Sequence, residues 1–545
     1  MKKIFFTCKK ISPWALLIAV YMIDIAFIVL KGRANLDSDM ASEVILADML
    51  NREGGLVSNN WYYSTELHIF TQQPFLQIGL LLSPGDWNMA RAIGMAIMLG
   101  LVAGSYLFFA YAMREKISRG VCFAVAVICP IGFWYMNLVT FGGYYLPYLI
   151  FILLGAALIL LFCHEGEVIP LRRSFWFLLL NLAAFCGGLS GVRYLINFYV
   201  PLAAAAFFIL AYRIHKEPHK LLEFKCQEWR LFIAVVSASV CNFIAYFINI
   251  KILAQKYSFQ NMTNQFWGEM NITELLDVWS DFFSLFGFQN DGFANSLSMN
   301  QTSPQLFSVQ GMIGILGIAL ALAILISSVR LFQRWRSLIF QQQVLVLLFW
   351  CILLIDGMIF AWTDGFESNV TYWIPAVPFA FMLLEIECAT EHFSISQTRG
   401  AVMTGLVFGI ICTGYATMRE YQTEPLRANP KLDSISEWLV ENGYTEGYAT
   451  FWYSNVLTAL SNGRLELWTV YNLNDRAVQG WLQKKEHQNP PEAERVFVIV
   501  GPNDELPASD LSYTDLGQAD IVYSDEEGFS IVEFKQLNES GKKEE

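Results

Sequence analysis

Apolar runs long enough to cross a lipid bilayer recur along this chain of 545 residues. A membrane-spanning helix needs roughly 20 apolar residues, and 55% of the residues are hydrophobic while only 15% are charged. The first run, "WALLIAVYMIDIAFIVL", is interpreted as a retained anchor because no small-residue cleavage site follows it. The sequence predicts an α-helical polytopic membrane protein with about eleven transmembrane helices. The runs begin near Ile11, Trp87, Gly120, Gly142, Ser174, Tyr194, Leu231, Gly311, Val344, Thr371 and Ala401.

Lysine and arginine concentrate in every second connection between these runs, as in "MKKIFFTCKK", "MREKISR", "LRRS" and "RLFQRWR". The positive-inside rule then predicts a multi-pass cell-membrane protein with a cytoplasmic N-terminus and with two long outer loops, 32–86 and 251–308. The net charge of −12 argues against nucleic acid as a partner. The 10 cysteines show no paired spacing, so neither a metal site nor a disulfide framework is predicted.

The C-terminal part has a different pattern. We predict a transmembrane domain over 1–419 and a small extracytoplasmic α/β domain over 420–545. "LDSISEWLVENG" is typical of a helix closed by glycine. The runs "GYATFWY", "RLELWTVY" and "RVFVIV" predict strands, and "IVYSDEEGFSIVEF" predicts a hairpin.

The first outer loop begins with the acidic stretch "NLDSDMASEVILADML". Its apolar residues repeat at helical spacing, which predicts a helix lying in the membrane interface with its apolar face toward lipid or toward the spans. Asp39 and Glu43 are four residues apart and share one face of this helix, and Asp37 stands at its start. An aspartate at such a position is either a helix cap or, in this acidic setting, a general base.

Further candidates for substrate binding lie in the same loop and at the outer ends of two spans. Tyr63, Glu66 and His68 belong to the polar stretch "NWYYSTELHIFTQQP". Arg91 opens the second span, and Arg193 lies in the outer turn between the fifth and sixth. An arginine at this depth either extends its charge to the headgroups or holds a phosphate of the substrate.

Taken in this order, the elements resemble the C-type glycosyltransferases of membranes, and are similar to the protein O-mannosyltransferases and the lipid A aminoarabinose transferases. In the resemblance, Asp39 matches the family's aspartate, Ala47 its small residue, and Met49 with Leu50 the apolar pair that follows. Pro74, in "QQPFLQIGLL", and Arg91 match the family's proline element and arginine. Met40 departs from the pattern, because it stands where the family commonly has glutamate.

This resemblance implies a glycosyltransferase that moves a sugar from a polyprenyl-phosphate lipid to an extracytoplasmic glycan, lipid or protein. Asp39 would be the general base, with Asp37 or Glu43 as a second acid. Arg91 and Arg193 would stabilise the departing phosphate. The scheme requires no metal and no cofactor apart from the lipid-linked sugar as co-substrate. The alternatives are a transporter or flippase of lipid-linked sugars and a noncatalytic cell-envelope assembly protein.

Overall fold

The computed structural model describes residues 12–65, 67–164, 170–217, 226–259, 266–268, 272–287, 307–364, 370–389, 396–423, 429–513, 516 and 518–535. Its main helices, in chain order, are α1 (Pro13–Lys31), α2 (Ser38–Glu53), α3 (Gln73–Leu82), α4 (Trp87–Ala112), α5 (Ile117–Ile128), α6 (Leu146–Cys163), α7 (Pro170–Gly188), α8 (Val200–Lys216), α9 (Gln227–Phe247), α10 (Ile272–Ser284), α11 (Val309–Gln333), α12 (Phe340–Trp362), α13 (Val377–Ala389), α14 (Ser396–Thr423), α15 (Asn429–Glu441) and α16 (Phe451–Leu460).

The strands, in the same order, are β1 (Trp61–Tyr63), β2 (Ser258–Phe259), β3 (Phe266–Trp267), β4 (Thr363–Asp364), β5 (Glu446–Thr450), β6 (Glu466–Val470), β7 (Gln483–Lys484), β8 (Arg495–Val500), β9 (Ala519–Ser524) and β10 (Ser530–Lys535).

Most of the described chain is helical and apolar, which confirms the predicted fold class. Among the described residues, eight helical stretches are long and apolar enough to cross a membrane. A ninth is added if Ile117–Ile128 and Phe133–Gly142, which meet at 87°, form one broken span. The runs predicted near Ser174 and Ala401 also form helices, α7 and α14, but neither belongs to this set. The predicted number of eleven spans is therefore not confirmed.

The C-terminal residues form the predicted α/β unit. Its five-stranded sheet has the order β6-β5-β8-β10-β9, in which β5 is parallel to both of its neighbours. The predicted hairpin is the antiparallel pair β9 and β10, and Gly443 follows α15 with a φ of 77°, as a glycine cap requires. A second sheet, β2-β1-β7, joins this unit to the segment that follows α2.

The surroundings of α2 correct one expectation. The sequence predicted an interfacial helix with lipid as one option for its apolar face, but α2 packs between α3 and α16. Met40 and Val44 on α2 belong to one apolar core with Ile435 and Leu457 of the C-terminal unit. An apolar helix face is buried more favourably against another apolar face than left at a polar interface, and the C-terminal unit supplies that face.

Polar contacts hold the same junction. The Arg33 guanidinium makes a two-point ion pair with Asp433 on α15, with Nε to Oδ2 at 2.7 Å, and donates to the carbonyl of Leu460 at 3.0 Å. The backbone N–H of Trp87 donates to the side chain of Asn462 at 2.8 Å. The helical bundle and the C-terminal unit are thus joined directly at the connection between α1 and α2 and at the start of α4.

Candidate functional site

The three acids of the opening stretch lie on the first turns of α2. Asp37 is the N-cap residue, and its carboxylate accepts a hydrogen bond from the backbone N–H of Met40 at 2.7 Å. Asp39 is partly exposed, whereas Asp37 is buried. Asp39 and Glu43 share a helix face, as their spacing predicted. The sequence left Asp37 as either a helix cap or a general base, and the structure shows the capping bond.

Glu43, like Asp39, is partly exposed, and its carboxylate is bonded to a buried side chain. Gln73, at the start of α3, donates a hydrogen bond from Nε2 to Oε2 of Glu43. Burial raises the pKa of Glu43 above its usual value, and the nearby His68, Gln72 and Gln73 oppose that rise. Both glutamines are almost fully buried. Glu43 is therefore held in a fixed orientation by α3 and by the segment that precedes it.

That segment is fixed from its other side as well. Asn249 accepts a hydrogen bond from the Leu67 N–H at 3.3 Å and donates to the Leu67 carbonyl at 2.7 Å. Phe70 donates its N–H to the Ser190 hydroxyl at 2.9 Å. His68 lies between these two anchors. The backbone on both sides of His68 is therefore fixed, and the His68 side chain acts electrostatically on Glu43.

Arg91 lies in the first turns of α4 and is only 7% exposed. It donates to the carbonyl of Phe141 at 2.7 Å, and Asp37 and Tyr144 act on it electrostatically. Gly143 lies between Phe141 and Tyr144 in the chain and has a φ of 77°. A Cβ there would lie 3.1 Å from Oε1 of Gln72. A glycine is therefore needed where the Arg91 and Glu43 surroundings meet.

Arg193 lies at the same end of the bundle, in the turn before α8. Its Nη1 donates to the Tyr145 hydroxyl at 3.2 Å, and its guanidinium lies 5.1 Å from the ring centroid of Tyr372. Tyr145 follows Tyr144 directly, and their rings are 5.9 Å apart. The predicted arginines thus approach neighbouring tyrosines from two different helices.

We call the end of the bundle that carries these groups the α2 face. It includes the acids of α2, His68, Gln72, Gln73, Arg91 and Arg193. Three π-helical segments end or begin beside it: Met136–Gly142, Leu195–Tyr199 and Ile248–Ile252. π-Helical turns are frequent at functional sites because they reposition side chains within a helix.

Two predicted substrate contacts remain. Tyr63 is buried, its hydroxyl accepts a hydrogen bond from the Ser58 N–H at 2.8 Å, and its ring packs near Tyr257 and Phe259. Burial raises the pKa of Tyr63. Its ring therefore lies within the junction between loops rather than on the surface. Glu66 lies outside the described residues.

The structure also brings in residues that the sequence did not single out. Gln72 and Gln73 belong to the stretch "QQPFLQIGLL". A pair of polar residues directly before a proline was the one sequence signal that could have identified them. Tyr145, Tyr372 and Asn249 come from distant segments, and a single sequence contains no signal that pairs them with the first loop.

A group with metal-binding spacing lies in the C-terminal unit, away from the predicted site. Within the described part of the chain, Glu466, Glu486 and His487 are close enough to hold one ion. Lys484 lies among them, with Nζ at 2.5 Å from Glu466 and at 3.2 Å from Glu486. A lysine ammonium already supplies the positive charge that a cation would bring, so this group is an ion-pair cluster.

The helical bundle and its docked α/β unit share their fold with a solved structure, ArnT, which bears out the predicted resemblance at the level of the fold. The chain is similar to ArnT from Cupriavidus metallidurans in the apo state, with a TM-score of 0.58 at 11% identity, covering 95% of this chain and 97% of that one. ArnT bound to undecaprenyl phosphate gives a TM-score of 0.53 at 10% identity with the same coverage. No family model and no curated protein sequence matches the chain.

Proposed function

We propose that this protein is an integral membrane glycosyltransferase that moves a sugar from a polyprenyl-phosphate donor to an acceptor hydroxyl on an extracytoplasmic glycan, lipid or protein. The observation that carries the proposal is the gathering, at one end of a C-type fold, of the α2 acids with a buried arginine. The solved ArnT that shares this fold was crystallised with undecaprenyl phosphate, which supports a lipid phosphate as the donor.

Asp39 is proposed as the general base. It would accept the proton of the acceptor hydroxyl while that oxygen forms a bond to the anomeric carbon. The bond from the anomeric carbon to the phosphate oxygen breaks in the same displacement, and the electron pair leaves with polyprenyl phosphate. One displacement inverts the anomeric configuration. The partly exposed position of Asp39 on the first turn of α2 supports access to an acceptor.

Glu43 is proposed as the second acid of the site. Met40 stands where the resembling family has glutamate, and Met40 is buried in the core beneath α2. Glu43 lies one turn further along the face of Asp39, and Gln73 orients it. A carboxylate held in this way can accept a hydrogen bond from a sugar hydroxyl. The capping bond of Asp37 supports a role in holding the first turn of α2.

Arg91 is proposed to stabilise the phosphate as it departs. The hydrogen bond to the Phe141 carbonyl uses one of the five N–H donors of the guanidinium. Its low exposure strengthens the attraction to an anion, because little water screens the charge. Arg193, held by Tyr145 and Tyr372, is proposed as a second cation for the donor, and His68 as a sugar contact.

In the predicted orientation, the α2 face and the C-terminal unit are both extracytoplasmic. The donor phosphate would then lie at the outer headgroup level, with its polyprenyl chain in the bilayer. The position of Arg91 in the first turns of an apolar helix supports this depth.

Replacing Asp39 with Asn tests the base. Asparagine keeps the shape but cannot take up the proton, so transfer from a polyprenyl-phosphate sugar in membranes should fall by about 10²-fold or more. Asp48→Asn is the matched control, because Asp48 lies on the same helix and is ion-paired with Arg52. Transfer by Asp39→Asn at the rate of Asp48→Asn, in equally abundant protein, would refute the assignment.

A further inference from the structure

A second polar cavity lies at the end of the bundle opposite the α2 face. The π-helical segment Leu195–Tyr199 connects Arg193 to α8, which ends at Lys216. Helix α9 begins at Gln227 and leads to Asn249, which is bonded to Leu67. The space between the end of α8 and the start of α9 is therefore a helix length away from the proposed active site. It has a volume of about 320 Å³.

Three cations line this cavity: Arg213, Lys216 and Arg336. Arg213 is already neutralised, because its Nη1 lies 2.6 Å from a carboxylate oxygen of Glu228, and Glu217 acts on it as well. For Lys216 and Arg336, the described residues include no carboxylate within ion-pair distance. Among the described residues, the lining thus has three cations and two carboxylates, Glu217 and Glu228, and the excess positive charge lies on the side of Lys216 and Arg336, which have no ion pair there.

Both of these cations approach one tyrosine. Lys216 Nζ lies 4.9 Å from the centroid of the Tyr212 ring, and Arg336 acts electrostatically on the same side chain. The Trp335 ring meets that of Tyr212 edge to face, with centroids 4.9 Å apart. Two like charges beside one aromatic ring repel each other, and an anion bound between them would remove that repulsion.

The neighbouring surface identifies the source of the anion. Tyrosine and tryptophan concentrate at the level of lipid headgroups, and Tyr212 and Trp335 mark that level here. Phe208 lies one helical turn from Tyr212 toward the middle of the span and is exposed, as is Phe332 on α11. An apolar surface beside a cationic cavity suits a molecule that has both an acyl chain and a phosphate.

We propose that this cavity binds the phosphate of an anionic membrane lipid, with Lys216 and Arg336 as its ligands and with the acyl chains along the exposed phenylalanines. The site is independent of the proposed transferase reaction. Its occupant would hold α8 and α12 together, since Arg336 and Gln343 come from the segment that begins α12.

The test is the thermal unfolding midpoint of the full-length protein in an uncharged detergent, titrated with dioctanoyl-phosphatidylglycerol. Binding to the folded state alone raises the midpoint as the ligand concentration increases. For Lys216→Gln/Arg336→Gln, the concentration that gives half of the maximal shift should rise by about tenfold or more. Arg172→Gln is the matched control: Arg172 lies at the same end, over the Trp176 ring, but does not line the cavity, so its titration should match the wild type.

Two further probes separate the sources of phosphate. Dioctanoyl-phosphatidylcholine should give a much smaller shift, because its headgroup has no net charge. An equal shift with this lipid, or an unchanged titration in the double variant, would overturn the proposal. Inorganic phosphate that protects as well as the anionic lipid, with the same loss in the variant, would overturn the lipid assignment. If the double variant does not fold, the single variant Arg336→Gln, in which only one exposed side chain is changed, is titrated with the same lipids.

Discussion

Gly143 offers a direct test of how the Arg91 and Glu43 surroundings are joined. Its φ of 77° lies in the left-handed region, and an added Cβ would lie 2.4 Å from Sδ of Met95 and 3.1 Å from Oε1 of Gln72. The Met95 side chain is flexible, but it is 1% exposed, so its sulfur has to find space within a filled core. Gly143→Ala should therefore disturb both the backbone and the packing.

A matched glycine separates these two effects. Gly54 caps α2 with a φ of 75°, and a Cβ there would have nothing within 4 Å. For Gly54→Ala, the left-handed conformation costs about 1–2 kcal/mol, offset by about 0.4–1 kcal/mol from the less flexible unfolded chain. Gly143→Ala adds overpacking of about 1–3 kcal/mol. The expected losses are then about 1 kcal/mol for Gly54→Ala and roughly 2–4 kcal/mol for Gly143→Ala.

The assay is chemical unfolding in mixed micelles, in which both variants and the wild type are compared at one temperature and detergent composition. Sugar transfer is measured on the same samples while they are folded. Gly143→Ala should lose more unfolding free energy than Gly54→Ala and should also lose transfer activity, since Gln72 is displaced. Equal losses in the two variants would refute the close packing of Gly143 against Met95 and Gln72.

Three other predictions concern charge. Arg91→Ala should lower kcat/KM for the donor far more than Lys31→Ala does, measured as initial rates against polyprenyl-phosphate sugar; equal losses would indicate membrane electrostatics alone. Burial raises the pKa of Glu466, but hydrogen bonds from His487 and Lys484 outweigh it and lower the pKa to about 2. This stabilisation is present above the unfolded pKa of about 4.3 and is lost as pH falls toward 2, so unfolding midpoints between pH 5 and 2.5 should fall more steeply in the wild type than in Glu466→Gln. A double-mutant cycle of Arg33→Ala with Asp433→Asn should give a coupling of about 0.5–1.5 kcal/mol, and no coupling would contradict their ion pair.

Local features of this protein could be predicted from its sequence. Helix α2 with Asp37 at its start, the shared face of Asp39 and Glu43, and the strands of the C-terminal unit all follow from residue spacing over ten or fewer positions. Such spacing reflects backbone geometry, which acts within one element. The apolar runs likewise identified a membrane fold, because their length matches the bilayer.

The contacts that build the site could not be predicted in this way. Gln73 reaches Glu43 from 30 residues away, and Asn249 reaches Leu67 from 182. The burial of α2 depends on Ile435 and Leu457, which belong to a unit that looked independent in the sequence. An apolar helix face indicates that it will be buried but does not identify the partner that buries it. For this reason the prediction that lipid could cover the apolar face of α2 was wrong.

The most direct test of the proposed transferase is a density map of the protein bound to a polyprenyl-phosphate donor. We expect a phosphate beside the Arg91 guanidinium on the α2 face, with the sugar directed toward Asp39. A phosphate bound at another face, with Arg91 still bonded to Phe141 and remote from the lipid, would contradict the proposal.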